Sequence, residues 1–384
     1  MYTVPFVDYP AHYRNLRPEL EPLIDEVIFE RSDFIMRGDL VEFEKNMTSF
    51  LGVKDSVGLK SCTDALILSL KVAGVGPGDE VITVSHTFIA TIAAIVHCGG
   101  KPVLVDIRED DDLMDLDQVE AAITPRTKVL LPVHLNGRIC DMDRLEALAK
   151  KHNLTIVEDS AQALGATYRG RKGGSFGLSG CFSFYPAKLL GAAGDGGLIS
   201  TQTQSVADQM RLYRDHGRVG KDNDFAFFAY NSRLDNLQAA ILNLKLRHFP
   251  GWLERRRQIA RIYTERLSSL PIKLPIAPDA DPIRYDVYQN YPIQTPERDA
   301  LREHFVASSV ETIISWRKPV HANADLKLDF KLPVTEKLCR EVISLPMNTE
   351  LSDAQVEHVC QALHAFFAKG GRAPYQPIKS SVAS

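Results

Sequence analysis

The sequence predicts an α/β fold, with a large domain on a mostly parallel central sheet covered by helices and a smaller α+β domain after it. Three observations carry this. Short apolar strands alternate with helical segments from residue 57 to residue 213, the pattern of successive βαβ units. At 384 residues, 45% hydrophobic and 24% charged, the chain has the length and composition of a two-domain globular protein. Polar residues cluster just after several of the apolar strands, where open α/β sheets bind ligands.

Taken in order, Arg14 to Leu51 carries apolar residues at helical spacing (Leu20, Leu23, Ile24, Val27, Ile28), interrupted near Arg37-Gly38, and reads as an arm with two helices. Val57-Gly58-Leu59 is a short strand running into a helix capped by Thr63. Strands follow at Glu80–Val84, Pro102–Ile107, Lys128–Val133, Leu154–Glu158, Gly180–Phe184 and Leu198–Ser200, with helices at Phe88–His97, Leu116–Ile123, Asp143–His152 and Gln204–Tyr213. A long helical stretch after Tyr230 is expected to break at Pro250, which places the domain boundary near residue 248. The large domain then spans 1–248 and the small one 249–368, with strands around Tyr288–Ile293. Its final helix opens on a capping-box pattern, Ser352 with Gln355. Residues 369–384 lack periodicity and read as a mobile tail.

Composition narrows the function. A net charge of -4 with no long basic block gives no reason to expect nucleic acid or an anionic membrane as partner. Arg255 to Arg257 is the densest basic run and lies in a helical pattern. The six cysteines include no CxxC pair, so neither a metal site nor a disulfide framework is indicated and a reducing compartment fits. Met1 to Pro10 has no basic segment followed by an apolar one, and no apolar run approaches the ~18 residues needed to cross a bilayer. The expectation is a cytoplasmic protein.

The chemistry centres on Gly180 to Gly197, where Lys188 stands among apolar and small residues. A buried lysine without a partner loses its proton, and the neutral amine attacks aldehydes. That is Schiff-base chemistry with pyridoxal phosphate, which also needs an acid for the pyridine nitrogen and a cradle for the phosphate. Asp159, closing the strand Leu154–Glu158, suits the ring nitrogen or serves as an N-cap. The helix start at Ser61-Cys62-Thr63 suits a phosphate. Phe88 either stacks on a planar ring or joins the core, and His216 and Arg218 are potential anion contacts.

Six stretches in order resemble the DegT/DnrJ/StrS family of pyridoxal-phosphate-dependent nucleotide-sugar aminotransferases, over nearly the whole chain. They are Ser61-Cys62-Thr63-Asp64-Ala65-Leu66, Gly76 to Ile82, Thr87 to Thr91, Glu158-Asp159-Ser160-Ala161-Gln162 to Ala166, Phe182-Ser183-Phe184-Tyr185-Pro186-Ala187-Lys188, and Tyr230-Asn231-Ser232-Arg233-Leu234. The resemblance implies the pyridoxal-phosphate transferase fold of type I. It implies Lys188 as the cofactor-binding amine and proton carrier, Asp159 on the pyridine nitrogen, Gln162 against the ring or its hydroxyl, and Phe88 on the opposite face. Ser61, the backbone at Cys62 and Thr63, and Ser183 would hold the phosphate, with Asn231 reaching it from the neighbouring subunit of a homodimer. Tyr185, His216, Arg218, Trp316, Lys318 and His321 are candidate substrate contacts; a basic surface loop is the other reading of the last three.

The implied reaction takes an amino group from L-glutamate to a keto-sugar linked to a nucleoside diphosphate, in two half-reactions with ping-pong kinetics. Phe184 to Gly191 followed by Gly194-Asp195-Gly196-Gly197 looks like the branch that aminates C3; a C4 aminotransferase, similar to perosamine synthases, is the alternative, and a non-catalytic regulatory protein a further one. Lysine at position 188 disfavours the family's dehydratases. A nicotinamide dehydrogenase would need a GxGxxG between strand and helix, which Gly191 to Gly197 is not. Three residues depart from the family's pattern: Cys62 replaces a glycine, and Gln289 and Asn348 stand where histidine is common.

Overall fold

The computed structural model describes residues 2–220, 224–368 and 370. The tail expected at 369–384 lies outside the described residues, apart from Gly370. The chain opens on α1 (Tyr9–Asp25), whose last turn widens into a π-helical turn at Glu26–Glu30, and α2 (Gly38–Leu51). The βαβ run follows: β1 (Asp55–Leu59), α3 (Cys62–Val72), β2 (Glu80–Val84), α4 (Ile89–His97), β3 (Lys101–Val105), α5 (Leu116–Ala122), β4 (Thr127–Leu130), α6 (Met142–His152) and β5 (Thr155–Asp159). A short hairpin, β6 (Thr167–Tyr168) and β7 (Arg171–Lys172), precedes β8 (Ser179–Ser183), β9 (Gly197–Thr201) and α7 (Gln204–Arg214).

The central sheet has seven strands in the order β1-β9-β8-β5-β4-β2-β3. Pairings from β8 through β5, β4 and β2 to β3 are parallel, and β9 is antiparallel to both β1 and β8. The expectation of a mostly parallel sheet holds, with two antiparallel pairings at one edge. The strands are buried on both faces, which explains why β2 (Glu80-Val81-Ile82-Thr83-Val84), all five of its residues buried, shows no strict alternation of apolar and exposed polar residues.

Two expectations need correcting. The cap of α3 is Ser61 and not Thr63: Ser61 Oγ accepts the Asp64 N–H at 3.1 Å, and the helix has already begun at Cys62. The helix after Asp235 does not break at Pro250. It runs unbroken from Asn236 to Leu267 as α8, because Phe249 and Leu253 on either side of the proline are buried and tertiary packing outweighs the lost helical bond. The boundary placed near residue 248 therefore falls inside this helix. Phe249 and Leu253 pack in the large core, whereas Ile259, Tyr263 and Leu267 belong to a second core with Val4, Ile293, Phe305 and Val359. That second core is built on the antiparallel pair Tyr291–Gln294 and Val342–Leu345 and on the helix Asp353–Ala368. The capping box there is present: Gln355 Oε1 accepts the Ser352 N–H at 3.0 Å, and Ser352 Oγ accepts the Gln355 N–H at 3.3 Å. Among the described residues, no helix is long and apolar enough to cross a membrane.

Candidate active site

A cavity of about 600 Å³ opens at the carboxyl ends of the parallel strands, as expected for such a sheet. Lys188, Asp159, Gln162, Ser61, Cys62, Thr63, Ser183, Phe88, Tyr185 and Trp316 all line it.

Asp159 ends β5 and is 5% exposed. Its Oδ2 accepts from Thr91 Oγ1 at 2.7 Å, Thr91 Oγ1 also meets Thr87 Oγ1 at 2.7 Å, and Asp159 Oδ1 accepts the Ala161 N–H at 3.2 Å. Burial pushes its carboxyl above the usual carboxylate range, opposed by these bonds and by Lys188 and His134. The result is a buried acid that gains from a cation placed against it.

Lys188 lies in the irregular loop between β8 and β9, where its N–H donates to Tyr185 O at 2.8 Å. Burial lowers the pKa of its ammonium, with Cys62 and Asp159 working the other way. A lysine held in this state carries more neutral amine near neutral pH than a solvated one.

The first turn of α3 supplies N–H groups that lack helical partners and the positive end of its dipole. Strand β9 passes directly beneath it: a Cβ on Gly197 would stand 2.3 Å from the carbonyl carbon of Ser61. Only glycine allows that approach, so Gly197 is what brings the helix start and the lysine loop to one cavity. Phe88, at the N-cap of α4, is 59% exposed, so its ring is not part of the core. Gln162 Oε1 accepts the N–H of Asn136 at 2.7 Å. Burial raises the Cys62 thiol, which stays protonated.

Other expected contacts are not brought to the cavity. His216 and Arg218 lie in the loop after α7, where Arg218 sits 3.5 Å from Asp215. Lys318 is exposed, and His321 is buried with its Nδ1 2.7 Å from Ser85 Oγ. Asn231, expected at the cavity of the neighbouring subunit and not at its own, is exposed and accepts from Arg233 Nε at 3.0 Å. Conversely, Thr91, Asn290, Phe6 and Ile313 line the cavity without having been singled out as site residues. Thr91 closes the stretch Thr87 to Thr91, and its place one helical turn after Thr87 is the sequence signal for it; Phe6 and Ile313 carry none.

These residues fit pyridoxal phosphate: an amine of lowered pKa, a buried carboxylate that gains from a protonated ring nitrogen, and a helix start for the phosphate lie on one cavity.

Comparison with known proteins agrees. A model of the DegT/DnrJ/EryC1/StrS aminotransferase family matches residues 22–364. The chain is 40% identical to a "Pleiotropic regulatory protein" of Geobacillus stearothermophilus, over 95% of this chain and 98% of that one. It is 41% identical to a dTDP-3-amino-3,4,6-trideoxy-alpha-D-glucose transaminase of Streptomyces venezuelae, over 94% and 95%. The crystal structure of S. venezuelae DesV superposes with a TM-score of 0.91 at 40% identity, covering 95% of this chain and 99% of that one.

Proposed function

The chain belongs to the DegT/DnrJ/EryC1/StrS aminotransferase family, and from that membership we propose that it transfers the amino group of L-glutamate to C3 of a 3-keto sugar linked to a nucleoside diphosphate. It is an aminotransferase, and its cofactor is pyridoxal 5′-phosphate. The observation that carries the reading is the meeting of Lys188, Asp159 and the start of α3 on one cavity. Bound there, the cofactor supplies an electron sink that makes the hydrogen beside the donor's nitrogen acidic. The chain's own residues do the rest. Lys188 Nζ would hold the cofactor's aldehyde carbon and, once displaced by the donor, take and return the proton. Asp159 would keep the ring nitrogen protonated, with Gln162 on the ring or its hydroxyl. Phe88 would cover the other face, and Ser61, Cys62, Thr63 and Ser183 would bind the phosphate.

Amination at C3 is supported by the wording of residues 184–197 and by the similar dTDP-3-amino sugar transaminase. The first test is the visible spectrum of cofactor-supplied protein before and after L-glutamate, followed by matched 3-keto and 4-keto nucleotide sugars. The expected result is a band that glutamate bleaches and that a 3-keto sugar restores. Restoration by 4-keto sugars alone would move the reaction to C4. A band indifferent to glutamate would favour the regulatory reading raised by the similar "Pleiotropic regulatory protein".

The active unit is a homodimer in which Asn231 reaches the phosphate of the neighbouring subunit. Its support is apolar surface left open on one chain: Phe29 and Phe34 before α2, and Phe225 and Phe228 before Asn231, are all more than half exposed. Mixing inactive Lys188→Ala with Asn231→Ala chains should restore activity to about a quarter of wild type, since half the dimers then carry one intact site. Failure to complement, with subunit exchange demonstrated, would place Asn231 outside the shared site. The reducing cytoplasm suits the six cysteines, all of them free thiols.

A further inference from the structure

We propose that Gln289 is a positioning residue for Lys188, setting the backbone on both sides of the lysine and so the place of its amine. This rests on the aminotransferase reading above. Lys188 is displayed from a loop with neither helix nor strand, so nothing in regular secondary structure fixes its Cα–Cβ direction. Its φ and ψ are set by the two peptide planes that adjoin it. Gln289 holds both planes: its Nε2 donates to Ala187 O at 2.9 Å, and its Oε1 accepts the Leu189 N–H at 2.9 Å.

Gln289 is itself anchored. It is 7% exposed, its N–H donates to Asn136 O at 2.9 Å, and its carbonyl accepts from Arg256 Nη1 at 3.3 Å. The same Asn136 donates its N–H to Gln162 Oε1 at 2.7 Å and accepts from Asn290 Nδ2 at 2.9 Å. One turn therefore links the lysine loop to the glutamine expected on the cofactor ring. Only a carboxamide of this length presents a donor and an acceptor side by side in one plane. A carboxylate has no donor, and an imidazole points its two nitrogens apart, so the histidine common in the family at this place could not make both bonds. The loop has further ties beyond the lysine, from Tyr13 Oη to Ala192 O at 3.1 Å and from the Ala193 N–H to Gln238 Oε1 at 2.8 Å. Those ties keep it folded when Gln289 is changed.

The test uses Gln289→Leu, which loses both bonds, and Gln289→Glu, which keeps the acceptor for Leu189 and loses the donor to Ala187. The leucine variant should lower kcat about 100-fold with KM within about twofold, and the glutamate variant about tenfold. The pH midpoint of the visible band should shift in both. In cofactor-free protein the Leu189 amide should exchange hydrogen faster in the leucine variant. A normal kcat overturns the proposal, as does a loss that follows only the folded fraction with band midpoint and Leu189 exchange unchanged. If Gln289→Leu does not fold, Gln289→Glu decides on kcat and the band midpoint alone, because it keeps the bond to Leu189: a normal kcat, or a loss that follows only the folded fraction with the midpoint unchanged, overturns the proposal. A wild type that shows no glutamate-responsive band would count against the aminotransferase reading, whereas the exchange measurement still judges Gln289.

Discussion

Lys188→Ala is expected to abolish amino transfer, by about 10⁴-fold or more, while the protein melts within a few degrees of wild type. Both halves follow from the site. The lysine amine lines the cavity, and burial lowers its pKa below that of a solvated lysine. A lysine whose folded pKa lies below its unfolded value destabilises the fold while charged, and this cost fades as pH rises through the folded value. Truncating Lys188 removes that cost along with the proposed nucleophile, so stability at neutral pH should not fall. Uptake of pyridoxal phosphate by wild type should accelerate with pH through a midpoint below that of a free lysine, and the alanine variant should show no such acceleration. Wild-type-like turnover by Lys188→Ala in a single-turnover assay with L-glutamate would remove the central claim.

The parts of this site that sequence reveals are those whose chemistry is local. Asp159 ends an apolar strand, Ser61 to Thr63 start a helix, and Lys188 is an isolated amine in apolar surroundings; each can be read from its own neighbours. Even so, a cap read at Thr63 lies two residues past the true one, because serine and threonine both cap and only the geometry shows that Ser61 Oγ takes the Asp64 N–H. Pro250 misled for a different reason, since its helix-breaking tendency is local while the packing of Phe249 and Leu253 that overrides it is not. Gln289 could be seen as unusual in its family, but its bonds to Ala187 and Leu189 join residues about a hundred positions apart. His321 looked like a surface contact until the fold set it against Ser85.

Asp159→Asn should still take up cofactor yet lose about 10² to 10³-fold in kcat. The carboxylate is 5% exposed, and its ordinary partners, the Thr91 hydroxyl and the Ala161 N–H, are neutral. In cofactor-free protein it is therefore an acid whose charge is only partly compensated, with its pKa raised by burial above the usual carboxylate range. For an acid raised in this way, stability is greatest below the unfolded pKa and declines as pH climbs through the folded one. Cofactor-free wild type should thus lose melting temperature relative to Asp159→Asn on going from about pH 4 to about pH 7. A protonated ring nitrogen placed against the carboxylate would reverse the balance, so on the proposed role of Asp159 loading with cofactor should stabilise wild type more than the variant at neutral pH. Asparagine keeps the size and one acceptor oxygen but cannot hold a proton on the ring nitrogen, which is why binding survives and rate does not. Near-normal kcat in the variant, or equal stabilisation of both proteins by the cofactor, would mean that the ring nitrogen finds its partner elsewhere.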